Sequence, residues 1–179
     1  MLKTYFKIFF VTGGLFFLGM LFSDLTLMPF REALISAVSS GLLFGLTMAA
    51  VLGTAQILKV RRAAAGEQGR DLYSTTQVRE FESGLEYSRL FASVTHYLQK
   101  VRGFELTEND ADSGRAAARS KFNFTTFGNS VTVRLEKRPG APTLVRIVSR
   151  PLLPTLMCDY GENYRVARGL EDHLKGTQL

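Results

Sequence analysis

Two long runs without charge open the chain, and no other feature restricts its fold so strongly. Ile8 to Phe22 holds no charged residue, and with Tyr5 and Phe6 before it and Leu25 to Phe30 after it the apolar span reaches about 20 residues. Ala33 to Leu58 is a second uncharged run of about 26 residues. At about 1.5 Å rise per residue, each is long enough as a helix to cross a hydrocarbon core of about 30 Å. Between Tyr5 and Val60 the only charged residues are Lys7, Asp24, Arg31, Glu32 and Lys59. A chain that is 46% apolar, 21% charged and near neutral in mean hydropathy is therefore two segments made for different solvents. That division, with one cysteine in 179 residues, argues against a simple soluble enzyme, a disordered protein and a disulfide-stapled secreted domain.

The runs are expected to form a transmembrane hairpin over residues 1–60, with spans at about 6–28 and 33–58. A cleaved signal peptide competes for the first run, because Lys3 and Lys7 precede an apolar stretch. No clear small-x-small site follows it, and a second span begins almost at once, which favours the hairpin. Lys3 and Lys7 before the first span, and Lys59, Arg61, Arg62 and Arg70 after the second, outnumber Arg31 in the connection. The positive-inside bias then places both termini in the cytoplasm, with the short turn outside. Pro29 suits a tight turn or the first turn of the second helix.

Ala33, Ala37, Gly41, Gly45, Ala49 and Gly53 recur every four residues in the second span. Residues at i and i+4 share a helix face, so this stripe is a groove for a close helix neighbour. The neighbour is either the first span, through Gly13, Gly14 and Gly19, or a second copy in a homo-oligomer. The two are not exclusive.

Residues 61–72 read as a juxtamembrane linker, or as a helical continuation that frays at Gly66 and Gly69. Residues 73–179 change character. Ser74 to Glu82 has weak strand character. Ser83, with Glu86 as a capping-box partner, is expected to start a helix whose apolar face is Tyr87, Leu90, Phe91, Val94, Leu98 and Val101, ended by Gly103. Four strands follow at Phe104–Glu108, Gly114–Phe124, Ser130–Arg138 and Thr143–Arg150, separated by turns at Asn109–Ser113, Phe127–Asn129 and Pro139–Pro142. Asp159 is the expected N-cap of a closing helix, Tyr160–Lys175, with Tyr164, Ala167, Leu170 and Leu174 inward. The expected fold class is α+β: the hairpin, then a small cytoplasmic domain of about four antiparallel strands packed with two helices.

Gly-Phe-Glu-Leu at 103–106, the Asp-x-x-x-Gly-Arg turn at 110–115, alternating strands ending in Ser149-Arg150, and Asp159-x-Gly161-x-Asn163 opening the last helix together resemble a bacterial family of uncharacterised proteins, a domain of unknown function. The resemblance covers about residues 87–174. It implies an α+β domain and brings no activity with it.

No catalytic residue stands out, and an enzymatic role is not favoured. Two histidines and one cysteine make no zinc-ligand cluster, so no metal or other cofactor is expected. His96 reads as a surface residue, His173 as a helix C-terminal charge, and Cys158 as a buried, inert thiol. Asp159 and Asn163 are candidates for a ligand site at a helix start, against the structural reading of a cap and a helix–strand tie. Arg115, Arg119 and Lys121, then Arg134 and Arg138, then Arg146 and Arg150 are expected to line the wet face of the sheet, with only Glu136 interleaved. The candidate ligand-binding set is Arg119, Lys121, Arg134, Arg146, Asp159 and Asn163; the candidate helix-packing set is Ala37, Gly41, Gly45, Ala49 and Gly53. Residues 61–179 carry 18 basic against 14 acidic residues and no nucleic-acid fold signature, so nucleic acid is not expected as a partner. The partners expected are the lipid bilayer, further copies or another membrane protein, and an anionic ligand. The leading functional expectation is a membrane-anchored, non-enzymatic docking or assembly protein. The alternative is a ligand-gated membrane effector that binds a phosphorylated small molecule such as a nucleotide.

Overall fold

The computed structural model describes residues 1–64, 67, 72–123 and 126–177. They form two compact units, Met1–Arg61 and Arg62–Leu179.

The first unit is a helix pair. Helix α1 runs over Leu2–Asp24 and helix α2 over Phe30–Ala64. Both are long and apolar enough to cross a membrane. The first helix starts and ends earlier than the expected span 6–28, because the chain turns directly after Asp24. Pro29 is the N-cap residue of α2, in extended backbone. The small-residue stripe is buried throughout, and α1 of the same chain covers it. The Gly41 carbonyl oxygen lies 2.8 Å from where a Gly13 Cβ would sit, and a Gly45 Cβ would lie 2.9 Å from the Phe9 oxygen. Phe16 stacks on Phe44 at 4.3 Å, and the Tyr5 ring fills the space beside Gly53. Gly14 and Gly19 do not join this seam; nothing lies within 4 Å of a Cβ built at either. Every fourth residue of an ideal helix drifts about 40° around the axis. A wide π turn at Ala49–Gly53 brings the end of the stripe back onto α1. The stripe is therefore occupied by the intrachain contact with α1.

The second unit holds a five-stranded antiparallel sheet in the order β1-β5-β4-β3-β2, one strand more than expected from the sequence. The strands are β1 Gln77–Ser83, β2 Glu105–Asp110, β3 Arg115–Arg119, β4 Asn129–Arg138 and β5 Ala141–Pro151. The meander β2 to β5 was legible; the extra member is β1, which pairs with β5. Helix α3, Tyr87–His96, and helix α4, Glu162–Gly176, belong to the same core as one sheet face. Val131, Val133, Leu135, Val145 and Ile147 meet Leu90, Val94, Leu98, Val166, Leu170 and Leu174 there, all at most 4% exposed.

Three local expectations are corrected. Ser83 ends β1 and accepts a hydrogen bond from Leu85 N, whereas Glu86 is the α3 cap, accepting from Ser88 N at 3.1 Å. Val101 is 55% exposed, and Tyr97 is buried in its place. The helix widens into a π turn at Tyr97–Val101, which rotates the apolar stripe by part of a turn. Pro139-Gly140 is a two-residue hairpin turn, so Ala141 and Pro142 belong to β5 rather than to a longer loop.

Candidate functional site

Helices cover one face of the sheet, and the other face collects the arginines. Outward positions alternate with core positions along each strand. Register then decides which outward side chains meet. Arg115 pairs with Arg134, and Arg134 with Arg146. Glu80 faces Arg146 from β1, and Asp110 faces Arg115 from β2. One row thus crosses all five strands as acid, arginine, arginine, arginine, acid. Cβ atoms of directly opposed residues lie about 5 Å apart, so Arg134 has a like charge on each side. Arg146 is relieved by Glu80 at 3.2 Å, and Asp110 lies within electrostatic reach of Arg115. Among the described residues Arg134 makes no ion pair.

Beside this row a hollow of about 320 Å³ is lined by Glu108, Arg115, Thr132, Arg134, Arg146 and Val148. Thr132 and Val148 are register partners and half-buried, and they make its floor. A second hollow of about 360 Å³ lies at the strand ends, where Arg119, Ser130 and Arg150 line it with Thr75, Thr76 and Leu152. The basic face is more interleaved than expected. Glu80, Glu105, Glu108 and Asp110 flank it from the edge strands, and Glu82 pairs with Arg138 at 2.9 Å. Lys121 is not on the sheet, because β3 ends at Arg119. Phe124, at the end of the expected strand, lies outside the described residues, as do Gly66, Gly69 and Arg70.

Asp159 and Asn163 are elsewhere, at the start of α4 on the covered side. Asp159 is 1% exposed and Asn163 fully buried. Asp159 Oδ1 accepts from Gly161 N at 3.1 Å; its Oδ2 accepts from Asn163 N at 3.1 Å and from Asn163 Nδ2 at 3.0 Å. Ser149 Oγ donates to Asn163 Oδ1 at 2.7 Å, which ties the helix to β5. The N-cap position itself belongs to Gly161 at φ 78°, with Tyr160 at φ 52° before it. Two successive left-handed residues are costly for a non-glycine, and the Asp159 bonds hold them. The candidate ligand residues are thus split: Arg119, Arg134 and Arg146 on the open sheet face, Asp159 and Asn163 beneath the helix. Cys158 is buried beside them. His96 is exposed, and His173 lies against Tyr97 and within 3.3 Å of Ser93 Oγ.

A charged cluster escaped sequence reasoning. Arg79, on the inward side of β1, makes a two-pronged ion pair with Glu67, at 2.5 and 3.1 Å. The Tyr164 hydroxyl donates to the same carboxylate, and Arg168 lies 3.7 Å away. The Arg79 hydrogen bonds, helped by Tyr164 and Arg168 against some desolvation, hold the Glu67 carboxyl at about 2 instead of 4.5. A depressed folded-state pKa stabilises above the unfolded value and is lost as pH falls through the folded one. The stabilisation is therefore complete above about pH 4.5 and fades towards pH 2. With the side chain 32% exposed, solvent screening leaves about 1–2 kcal/mol. Urea titrations of wild type and Glu67→Gln should differ by that amount at pH 6 and converge near pH 2; parallel curves would show that the pair contributes nothing.

No family model and no curated protein matches the chain. Solved structures do resemble it in part: one described as "Crystal structure of Ara h 8.0201" is 11% identical and covers 57% of this chain and 95% of that chain, at a TM-score of 0.34, too low to transfer a fold or a function.

Proposed function

We propose that the protein is a membrane-anchored docking protein without catalytic activity. The α1–α2 hairpin anchors it in the bacterial inner membrane with both termini cytoplasmic, and the α+β domain recruits an acidic partner through its open sheet face. The observation that carries this reading is the in-register row Arg115–Arg134–Arg146 on the sheet face opposite α3 and α4. The hairpin's inverted packing supports the anchor. Glycine and alanine point inward, while Phe10, Leu15, Phe22, Leu43 and Leu46 are 65–79% exposed. Water would penalise such faces and lipid would not. Self-association, if the chain assembles, falls to these bulky outer faces, since the small-residue stripe is filled.

Site-specific photo-crosslinking in cells tests the reading. A benzophenone side chain at Thr132 or Val148 should give discrete adducts that disappear when Arg134 is reversed to Glu. The same group at His96 or Arg165, outside that face, should give few. Equal adducts from both sets of positions would sink the docking face, and carbonate extraction of the chain from membranes would sink the anchor. The effector alternative adds a phosphorylated ligand on this face, and the register of the arginine row favours that class.

A further inference from the structure

We infer that Arg115, Arg134 and Arg146 form a binding site for a phosphoryl group, with the Thr132 hydroxyl as a neutral donor on its floor. The site rests on the sheet face of the docking reading and names the ligand chemistry that this face selects. Three guanidinium-bearing residues sit on adjacent strands in direct register. Strand spacing of about 4.8 Å brings their side chains within reach of one tetrahedral anion. Guanidinium forks match phosphoryl oxygens bidentately, a geometry that lysine does not supply.

The row is also unfavourable when empty. Opposed like charges on neighbouring strands destabilise a sheet. Glu80 pairs with Arg146 at one end and Asp110 lies opposite Arg115 at the other, and among the described residues Arg134 at the centre makes no ion pair. A bridging anion relieves that repulsion, so binding and stability are coupled at a single residue. Thr132, two positions before Arg134 on the same face, opens onto the same hollow. Glu108 lines it too, and its charge opposes any anion that extends towards β2. The phosphoryl group could be carried by a soluble molecule or by a lipid head, and the chemistry of the row is the same for both.

The single cysteine supplies the readout. Cys158 is buried within the α+β unit, so a thiol-reactive dye reports thermal unfolding of that unit in the full-length chain. In phosphatidylcholine vesicles, millimolar inorganic pyrophosphate should raise the wild-type midpoint by roughly 3–6 °C at matched ionic strength. If a lipid head is the source, vesicles containing phosphatidylglycerol should raise it without pyrophosphate. Arg134→Gln should abolish either response and, by removing the repulsion, raise the unliganded midpoint by about 1–4 °C. Glu108→Gln should enlarge the response. Arg138→Gln, which removes a charge paired with Glu82 outside the row, should keep it. A wild-type chain that answers neither pyrophosphate nor phosphatidylglycerol overturns the site. So does a response that survives in Arg134→Gln, or one lost equally in Arg138→Gln, which would mark a bulk charge effect. Should Arg134→Gln fold poorly, Arg115→Gln probes the row from β3, and a full response there also overturns it. Crosslinking from Thr132 that persists while pyrophosphate has no effect would remove the phosphoryl site and leave the docking face. A pyrophosphate response without crosslinked partners would do the reverse.

Discussion

Asp159→Ala should destabilise the α+β domain by about 3 kcal/mol or more, measured as a fall in the urea midpoint of its β-sheet circular dichroism at unchanged slope. The carboxylate is 1% exposed and accepts hydrogen bonds from Gly161 N, Asn163 N and Asn163 Nδ2. Alanine leaves those donors in a space that water does not reach, and each unsatisfied buried donor costs about 1–3 kcal/mol. The same change removes the group that holds Tyr160 and Gly161 in left-handed backbone before α4. Asp159→Asn keeps one acceptor oxygen and should cost about half as much. Asn163→Leu is expected to be nearly as severe as the alanine change, because it strands Ser149 Oγ and removes the donor to Asp159. The prediction separates two readings of one motif. A carboxylate kept for a ligand would be dispensable to the empty fold. If Asp159→Ala moves the midpoint by less than about 0.5 kcal/mol, the size of an ordinary surface change, the structural account of the motif is wrong.

The motif shows where sequence reasoning reaches and where it stops. Asp159, Gly161 and Asn163 were visible as a helix start, because capping depends on neighbours in the chain. Their burial was not, since it depends on Ser149 arriving from β5. The alternation of Val131, Val133 and Leu135 likewise identified β4 and its inward face. Strand β1 was harder, because Gln77, Arg79 and Ser83 point towards the helices while Val78 is 48% exposed. Its polarity pattern is inverted, and the inversion is affordable only because Glu67 and backbone carbonyls meet those polar groups. Nothing local announces that Glu67 lies beside both Arg79 and Tyr164. For the arginines, periodicity assigned a face but could not assign partners. Register hangs on the Pro139-Gly140 turn: a four-residue loop at 139–142 would leave the pairing of Arg134 with Arg146 undetermined.

Gly45→Leu should open the hairpin. A Cβ at residue 45 would sit 2.9 Å from the Phe9 carbonyl oxygen and 3.0 Å from the Gly13 Cα, which are backbone atoms that no rotamer change can move. Relief requires α1 to separate from α2 along the seam where Phe16 stacks on Phe44. Overpacking of this kind costs about 2 kcal/mol or more, a shift of roughly 30-fold in the closed hairpin population. In a Cys158→Ala background, Phe16→Cys with Phe44→Cys should crosslink within one chain under mild oxidation, and adding Gly45→Leu should suppress the intrachain product. Gly14→Leu and Gly19→Leu provide the contrast. Nothing lies within 4 Å of a Cβ at either glycine, so both should crosslink like the parent although they add the same bulk to α1. Dimer content in micelles tells which neighbour the stripe serves. If Gly45→Leu leaves the intrachain crosslink intact and abolishes dimers, the groove belongs to a second copy. If the crosslink is lost and the dimers persist, the stripe is the inner seam of one hairpin. The second outcome is expected, because bulky side chains turned outward and small ones turned inward leave a partner only the outer faces to meet.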